Sequence, residues 1–271
     1  MKRMAAMLFA AVLTLLPACG SVSESSGQTV SVNGSTSVER VILTLAERYM
    51  LDHPETKIVY DPTGTGAGLE ALQNGVCDIA LASRTLAPQE EAAGLQPFVI
   101  ALDGIAVLVN AANPVENLTV EQLAGLYTGR FASWSDVGGE QGPAACIGRE
   151  SGSGTRDGFE TATGTEEACI LAQELTATGA VLEAVRNNPQ AVGYASLASV
   201  EGRGGIRILT IDGAPCTEET ILNGSYALQR PFVFVTRGEL NSVAKAFFDW
   251  AVSPQAASYI RQAGAIPTAV K

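Results

Sequence analysis

The sequence predicts an α/β fold in two lobes with a cleft between them, and three observations predict it. From Thr29 onward short apolar runs alternate with stretches of helical periodicity, the pattern of a largely parallel sheet covered by helices. A unit of strand, turn rich in Gly, Ser and Thr, and helix occurs three times. The chain leaves its first set of units near Asp103 and rejoins it near Phe232, so it crosses twice. Two crossing strands make a hinge, and the cleft between lobes hinged in this way is where a ligand binds. The predicted lobes are residues 29–103 with 232–271, and residues 104–231.

The N-terminus precedes the fold. Lys2 and Arg3 stand before an apolar stretch from Met4 to Leu16 that ends in Leu16-Pro17-Ala18-Cys19. This is the make-up of a signal peptide, too short for a permanent span. The small residue before Cys19 suits a lipoprotein signal peptidase, so residues 1–19 read as a lipoprotein signal with Cys19 as the lipidated first residue. An ordinary secretory signal would also leave the mature chain outside the cytoplasm, anchored or free. Residues 20–28 are polar and rich in Ser and Gly, a flexible tether with nothing to bury. About 240 residues remain, enough for two lobes of ordinary size. No later apolar segment is long enough to span a membrane, so membrane contact is expected through the lipid alone.

The elements follow in order. Thr29 to Val32 is a strand, and Val38, Val41, Ile42, Leu45 and Tyr49 form one face of a helix. A strand from Lys57 to Tyr60, a helix from Leu69 to Asn74 and a strand from Cys77 to Ala82 come next, then a long apolar strand from Ile105 to Asn110. Asn113-Pro114 breaks the pattern. Thr119 with Gln122 makes a capping box for the next helix, Gly129 closes it, and Trp134 to Gly139 is a loop. A second set of units starts at Cys146 and runs through helices near Asp157 and Glu167 to the strand Val192 to Ala195. Pro231 to Thr236 then leads to the last helices.

Composition limits the partners. A net charge of −11 with only 17 Lys and Arg disfavours nucleic acid and anionic membrane surfaces. A small anion stays open, because it needs only a few local donors in a shaped site. Cys77, Cys146, Cys169 and Cys216 are an even number in a disulfide-permissive compartment, so two bridges are expected, with the pairing open. No CxxC or other zinc spacing occurs, and neither a metal nor a cofactor is expected.

The three turns carry the chemistry: Asn33-Gly34-Ser35-Thr36-Ser37, Thr63-Gly64-Thr65-Gly66-Ala67-Gly68, and Ser151-Gly152-Ser153-Gly154-Thr155. Each offers backbone N–H groups and short hydroxyls at the positive end of a helix. One such turn can be a local cap; three of them accompanied by arginine point to an anion. Arg149 precedes the third turn, Arg156 follows it, and Arg84 ends the strand that begins near Asp78. A guanidinium can hold two oxygens of a tetrahedral oxyanion in parallel. Arg149 is the stronger candidate, since Arg156 could equally pair with a carboxylate such as Glu150 or Asp157.

These pieces, together with Asn113-Pro114 and Trp134-Ser135-Asp136-Val137-Gly138-Gly139, resemble the phosphate-binding proteins of the Pst-type ABC transporter over nearly all of the mature chain. The resemblance implies a periplasmic-binding-protein fold of type II, the Venus-flytrap architecture. It also implies an inorganic phosphate ligand, delivery to a membrane permease, and a monomer. By the same resemblance Thr36, Ser37, Thr65, Arg149, Ser153, Gly154 and Thr155 hold the anion, with Ser35, Ser83 and Arg84 as further candidates. Better-known members carry an aspartate where this chain has Arg84, and that aspartate accepts the proton of phosphate. Asp103, at the predicted hinge, is the candidate acceptor here, with Asp61 and Asp78 as alternatives. The alternatives in function are another oxyanion, sulfate or molybdate, or a phosphate sensor. A hydrolase fits less well: the single histidine, His53, lies between Asp52 and Pro54 in a loop, away from the serine-rich turns in sequence.

Overall fold

The computed structural model describes residues 28–200 and 202–268. The signal segment, Cys19 and the tether through residue 27 lie outside the described residues. The chain begins with β1 Gln28–Gly34, α1 Glu39–Asp52, β2 Thr56–Asp61, α2 Thr65–Gln73, β3 Ile79–Ala82, α3 Pro88–Ala92 and β4 Leu95–Asn110. It continues through β5 Asn117–Leu118, α4 Val120–Tyr127, a 3-10 turn at Trp134–Val137, β6 Ala145–Arg149, α5 Gly154–Thr163, β7 Gln173–Leu175, α6 Thr178–Arg186, β8 Ala191–Ser196 and α7 Leu197–Val200. It ends with β9 Ile206–Ile208, β10 Thr210–Ile211, α8 Glu218–Leu222, β11 Gln229–Arg237, α9 Ser242–Ala251, α10 Ala257–Gln262 and β12 Ile266–Pro267.

The fold is α/β. Its main strands run in the order β2-β1-β3-β11-β4-β8-β6-β7. β1 is parallel to β2 and β3, and β6 is parallel to β7 and β8. β11 lies antiparallel between β3 and β4. The period-2 alternation of strands divides the core of the first group. Ile79, Leu81, Phe232 and Phe234 face the cluster that holds Val41, Ile42, Leu45 and Phe247. Ala80, Ala82, Val233 and Val235 face a smaller one with Leu69 and Leu72. Burying each large side chain of this kind contributes about 1.5–3 kcal/mol. A separate cluster gathers Ile105 to Val109, Tyr127, Phe159, Val181, Leu182, Val192 and Tyr194. β4 passes from one cluster to the other between Ala101 and Ile105, and the return comes between Leu228 and Phe232.

Local chemistry explains most of the elements. The face of α1 predicted from spacing is buried at Val41, Ile42, Leu45 and Tyr49. Thr119 caps α4: its hydroxyl accepts the Gln122 N–H at 3.0 Å, and its own N–H donates to the Gln122 side chain at 2.9 Å.

Several expectations are corrected. β4 starts at Leu95 rather than Ile105, because pairing with β11 carries the strand through Pro97, which lies opposite Val235. At Pro97 only one edge of β4 is paired among the described residues, which is where a residue without an N–H is tolerated. No helix forms at Glu167. Gly164 ends α5 in the left-handed region, Glu167 is itself at φ 57°, and the next helix is α6. The expected disulfides are absent: Cys77, Cys146, Cys169 and Cys216 are free thiols. Cys77 sits in a different apolar cluster from Cys146 and Cys216, and the Cys146 and Cys169 thiols donate to Leu126 O and Thr165 Oγ1 respectively. Burial pushes Cys77 and Cys169 up to about 11 and Cys146 and Cys216 up to about 12, so they stay protonated at neutral pH.

Candidate functional site

The three Gly/Ser/Thr turns meet. Ser37 Oγ and Thr155 Oγ1 share a hydrogen bond of 2.7 Å, joining the first turn to the third. The Gly66 N–H donates to Gly152 O at 3.0 Å, joining the second to the third, and the Gly64 N–H donates to Gly34 O at 2.9 Å, joining the first and second. Ser83, just past β3, completes the inner side: the Ser35 hydroxyl donates to Ser83 Oγ at 2.9 Å, and the Ser83 N–H donates to Thr65 Oγ1 at 3.3 Å. Two glycines make the approach feasible. A Cβ on Gly154 would lie 2.7 Å from both Ser83 Oγ and Thr65 Oγ1, and one on Gly34, at φ +134°, would lie 2.3 Å from Leu81 O.

A fourth helix joins them. Thr178, the first residue of α6, shares hydrogen bonds of 3.1 Å with both Thr36 Oγ1 and Ser37 Oγ, and its N–H donates to Thr36 Oγ1 at 3.3 Å. Thr178 was not singled out from sequence. β7 before it is three residues long, and Ala177-Thr178-Gly179 lacks the dense Gly/Ser/Thr run of the other turns. The available signal was the strand, turn and helix order together with the short Thr176-Ala177-Thr178-Gly179 run.

Arg149, at the end of β6, supplies the positive charge. It is 2% exposed. Its Nη1 donates to Thr178 Oγ1 at 3.2 Å, while Nε and Nη2 fork onto Glu150 at 2.9 and 2.7 Å and also reach the carbonyls of Leu175 and Thr176. Ser35, Thr36, Ser37, Thr65, Ser83, Ser153, Thr155 and Thr178 are all buried. Helices α1, α2, α5 and α6 thus point their N-termini at one group of hydroxyls with a guanidinium beside it. Four dipole ends there favour negative charge.

Comparison with known proteins places this arrangement. Residues 20–255 match the PBP superfamily domain. The chain is 27% identical to the phosphate-binding protein PstS of Borreliella burgdorferi, over 97% of this chain and 98% of that one. Among solved structures, one from Clostridium perfringens with bound phosphate shares 34% identity and a TM-score of 0.85, covering 89% of this chain and all of that one. An ABC-type phosphate transport receptor from Vibrio cholerae shares 35% identity and a TM-score of 0.73, again over 89% of this chain and all of that one. The chain is a PstS-like member of the periplasmic-binding-protein superfamily.

In this PstS-like chain two candidates are engaged away from the hydroxyl group. Arg84 forks onto Glu90 at 2.8 and 2.9 Å and donates through Nε to Asp157 at 2.7 Å. Asp103 accepts from Arg230 at 3.0 and 3.2 Å, from Ser196 Oγ at 2.8 Å and from the Ala198 N–H at 3.5 Å. Burial pushes the Asp103 carboxyl up and pulls the Arg230 guanidinium down, each opposed by its partner. Neither alternative acceptor joins the hydroxyls: Asp61 is exposed, and Asp78 accepts from Ser31 and Asn241. Glu150 lies beside the second turn: its Oε1 would be 3.3 Å from a Cβ on Gly64. Arg156 binds Glu160 and Glu174 and donates to Arg149 O at 3.0 Å. His53 stacks on Tyr49 with ring centroids 4.2 Å apart.

Proposed function

We infer that this chain is an extracytoplasmic phosphate-binding protein that captures inorganic phosphate between its turns and delivers it to the permease of an ABC transporter. It is a binding protein, not an enzyme. The observation that carries the reading is the meeting of four helix N-termini and the buried Arg149 on one set of hydroxyls. Short hydroxyls can both donate to and accept from a partly protonated phosphate. Burying such an anion is favourable only when a full set of donors replaces its water.

The proposed ligand set is Ser35, Thr36, Ser37, Thr65, Ser83, Arg149, Ser153, Gly154, Thr155 and Thr178. Arg84 and Asp103 are left out because their hydrogen bonds go elsewhere. The two-lobed, type II Venus-flytrap architecture is proposed with the limits read from sequence, 29–103 with 232–271 and 104–231. The passage of β4 and β11 between apolar clusters near Asp103 and Arg230 supports it. In that reading phosphate binds one lobe, and closure brings the other lobe's donors onto it. Attachment to the membrane by a lipid on Cys19 completes the proposal, on the strength of the N-terminal signal.

The test is isothermal titration of the protein begun after Cys19, with phosphate and then with sulfate and molybdate near neutral pH. One-to-one phosphate binding is expected. Equal binding of all three anions would replace phosphate by a generic oxyanion, and heat from none would overturn the assignment.

A further inference from the structure

Arg84 stands beside Ser83, and therefore next to the hydroxyl group, yet its guanidinium turns to two carboxylates on different elements. Glu90, on α3, takes Nη1 and Nη2 at 2.8 and 2.9 Å, and the same carboxylate accepts the Ala87 N–H at 2.7 Å. Glu90 is thus fixed at the start of its own helix and holds the guanidinium from the side of β3. The remaining Nε donates to Asp157 Oδ2 at 2.7 Å. Asp157 belongs to the first turn of α5, where its N–H bonds Ser153 O at 2.9 Å. Residues 84 and 90 fall in one proposed lobe and residue 157 in the other, so the Nε contact crosses the cleft while the Glu90 contacts do not.

The charges give this arrangement a consequence. A bare Asp157 carboxylate in the first turn of α5 opposes an anion held by the N–H groups of that turn, because like charges a few ångströms apart repel in a partly desolvated site. Arg84 can cancel that charge only when the two sides of the cleft are together. We propose that Arg84 is a positioning residue rather than a phosphate ligand: a latch, pre-aligned by Glu90, that pairs with Asp157 on closure and removes a repulsive charge from beside the bound anion. The proposal rests on the phosphate-binding, two-lobed reading above.

Stopped-flow measurement of phosphate association and dissociation, with titration for Kd, tests it in the wild type, Arg84→Met, Asp157→Asn and the double variant. Arg84→Met leaves Asp157 charged and unpaired; a charge-assisted hydrogen bond that is partly exposed supports a loss of about tenfold, expected as faster dissociation with little change in association. Asp157→Asn removes the latch together with the repulsion and should cost less. The double variant should bind more tightly than Arg84→Met, and Arg84→Lys should recover part of the loss through its charge.

A direct ligand would behave differently. If Asp157→Asn binds as the wild type does and the double variant is no better than Arg84→Met, Arg84 acts on the anion itself and the latch is overturned, with the phosphate reading intact. Wild-type affinity in Arg84→Met would also overturn the latch alone. Failure of the wild type to bind phosphate would overturn both readings.

Discussion

Arg149 is 2% exposed and Arg230 is 3% exposed, and both pair with a carboxylate, but their surroundings differ. Arg149 divides its donors among Glu150, two backbone carbonyls and the Thr178 hydroxyl, at a place where four helices begin. Arg230 belongs to β11, in register with Asp103 of β4, with its guanidinium carbon 5.6 Å from the Phe232 ring centroid. Its charge is answered by Asp103, and Nη1 has no hydrogen-bond partner among the described residues. Burial of an arginine therefore does not mark a binding site. In the proposed reading the hydroxyls and helix ends around Arg149 make the site, whereas Arg230, answered by one buried counter-charge, acts as an internal strut.

Four changes test the contrast, starting with the largest effect. Asp103→Ala leaves Arg230 buried and unpaired, which should cost about 3–5 kcal/mol of stability; urea unfolding measures it, and an unchanged midpoint would deny the strut. Arg149→Ala should cost about 2–4 kcal/mol in phosphate affinity, read by titration, with a smaller change in unfolding. Comparable affinity in Arg149→Ala and Thr65→Ser would remove Arg149 from the site. Gly154→Ala places a methyl 2.7 Å from Ser83 Oγ and Thr65 Oγ1, so overpacking of about 1–3 kcal/mol should appear in affinity more than in melting temperature.

The smallest effect follows pH. The hydrogen bond from Arg84 holds the Glu90 carboxyl below its ordinary value. A depressed folded-state pKa gives stability that is fully present above the unfolded value and lost as pH falls through the folded one. The gap in melting temperature between the wild type and Glu90→Gln, about 1 kcal/mol or less in free energy for a partly exposed pair, should be widest at pH 7 and should close as pH falls below the ordinary glutamate value of about 4.3. A gap independent of pH would mean that Glu90 acts through packing.

How far the sequence could be read depends on what fixes each feature. The three turns were legible because Gly34, Thr65 and Gly154 stand in runs whose short-range chemistry permits little else, and the Thr119 cap was legible for the same reason. The partners of Arg84 and Asp103 were not. A guanidinium and a carboxylate look the same in sequence whether they face an anion or each other, and packing chooses Glu90, Asp157 and Arg230. The cysteines mislead similarly: an even number suggests pairs, while Cys77 and Cys216 are sorted into separate cores. Pro97 hid the first ten residues of β4, because the pairing that tolerates it comes from β11, more than a hundred residues later.

That last pairing governs the order in which the molecule can be built. β3 also pairs with β1 and β4 with β8, but the two are joined to each other only through β11, which separates them and bonds to both. A chain that has emerged only as far as Leu228 carries two apolar strands with an open edge each, the kind of surface that recruits neighbours rather than folding. Contacts so distant in sequence close slowly. Until the last forty or so residues arrive, the first group of elements lacks the strand that ties it to β4, and its core lacks Phe232, Phe234 and Phe247.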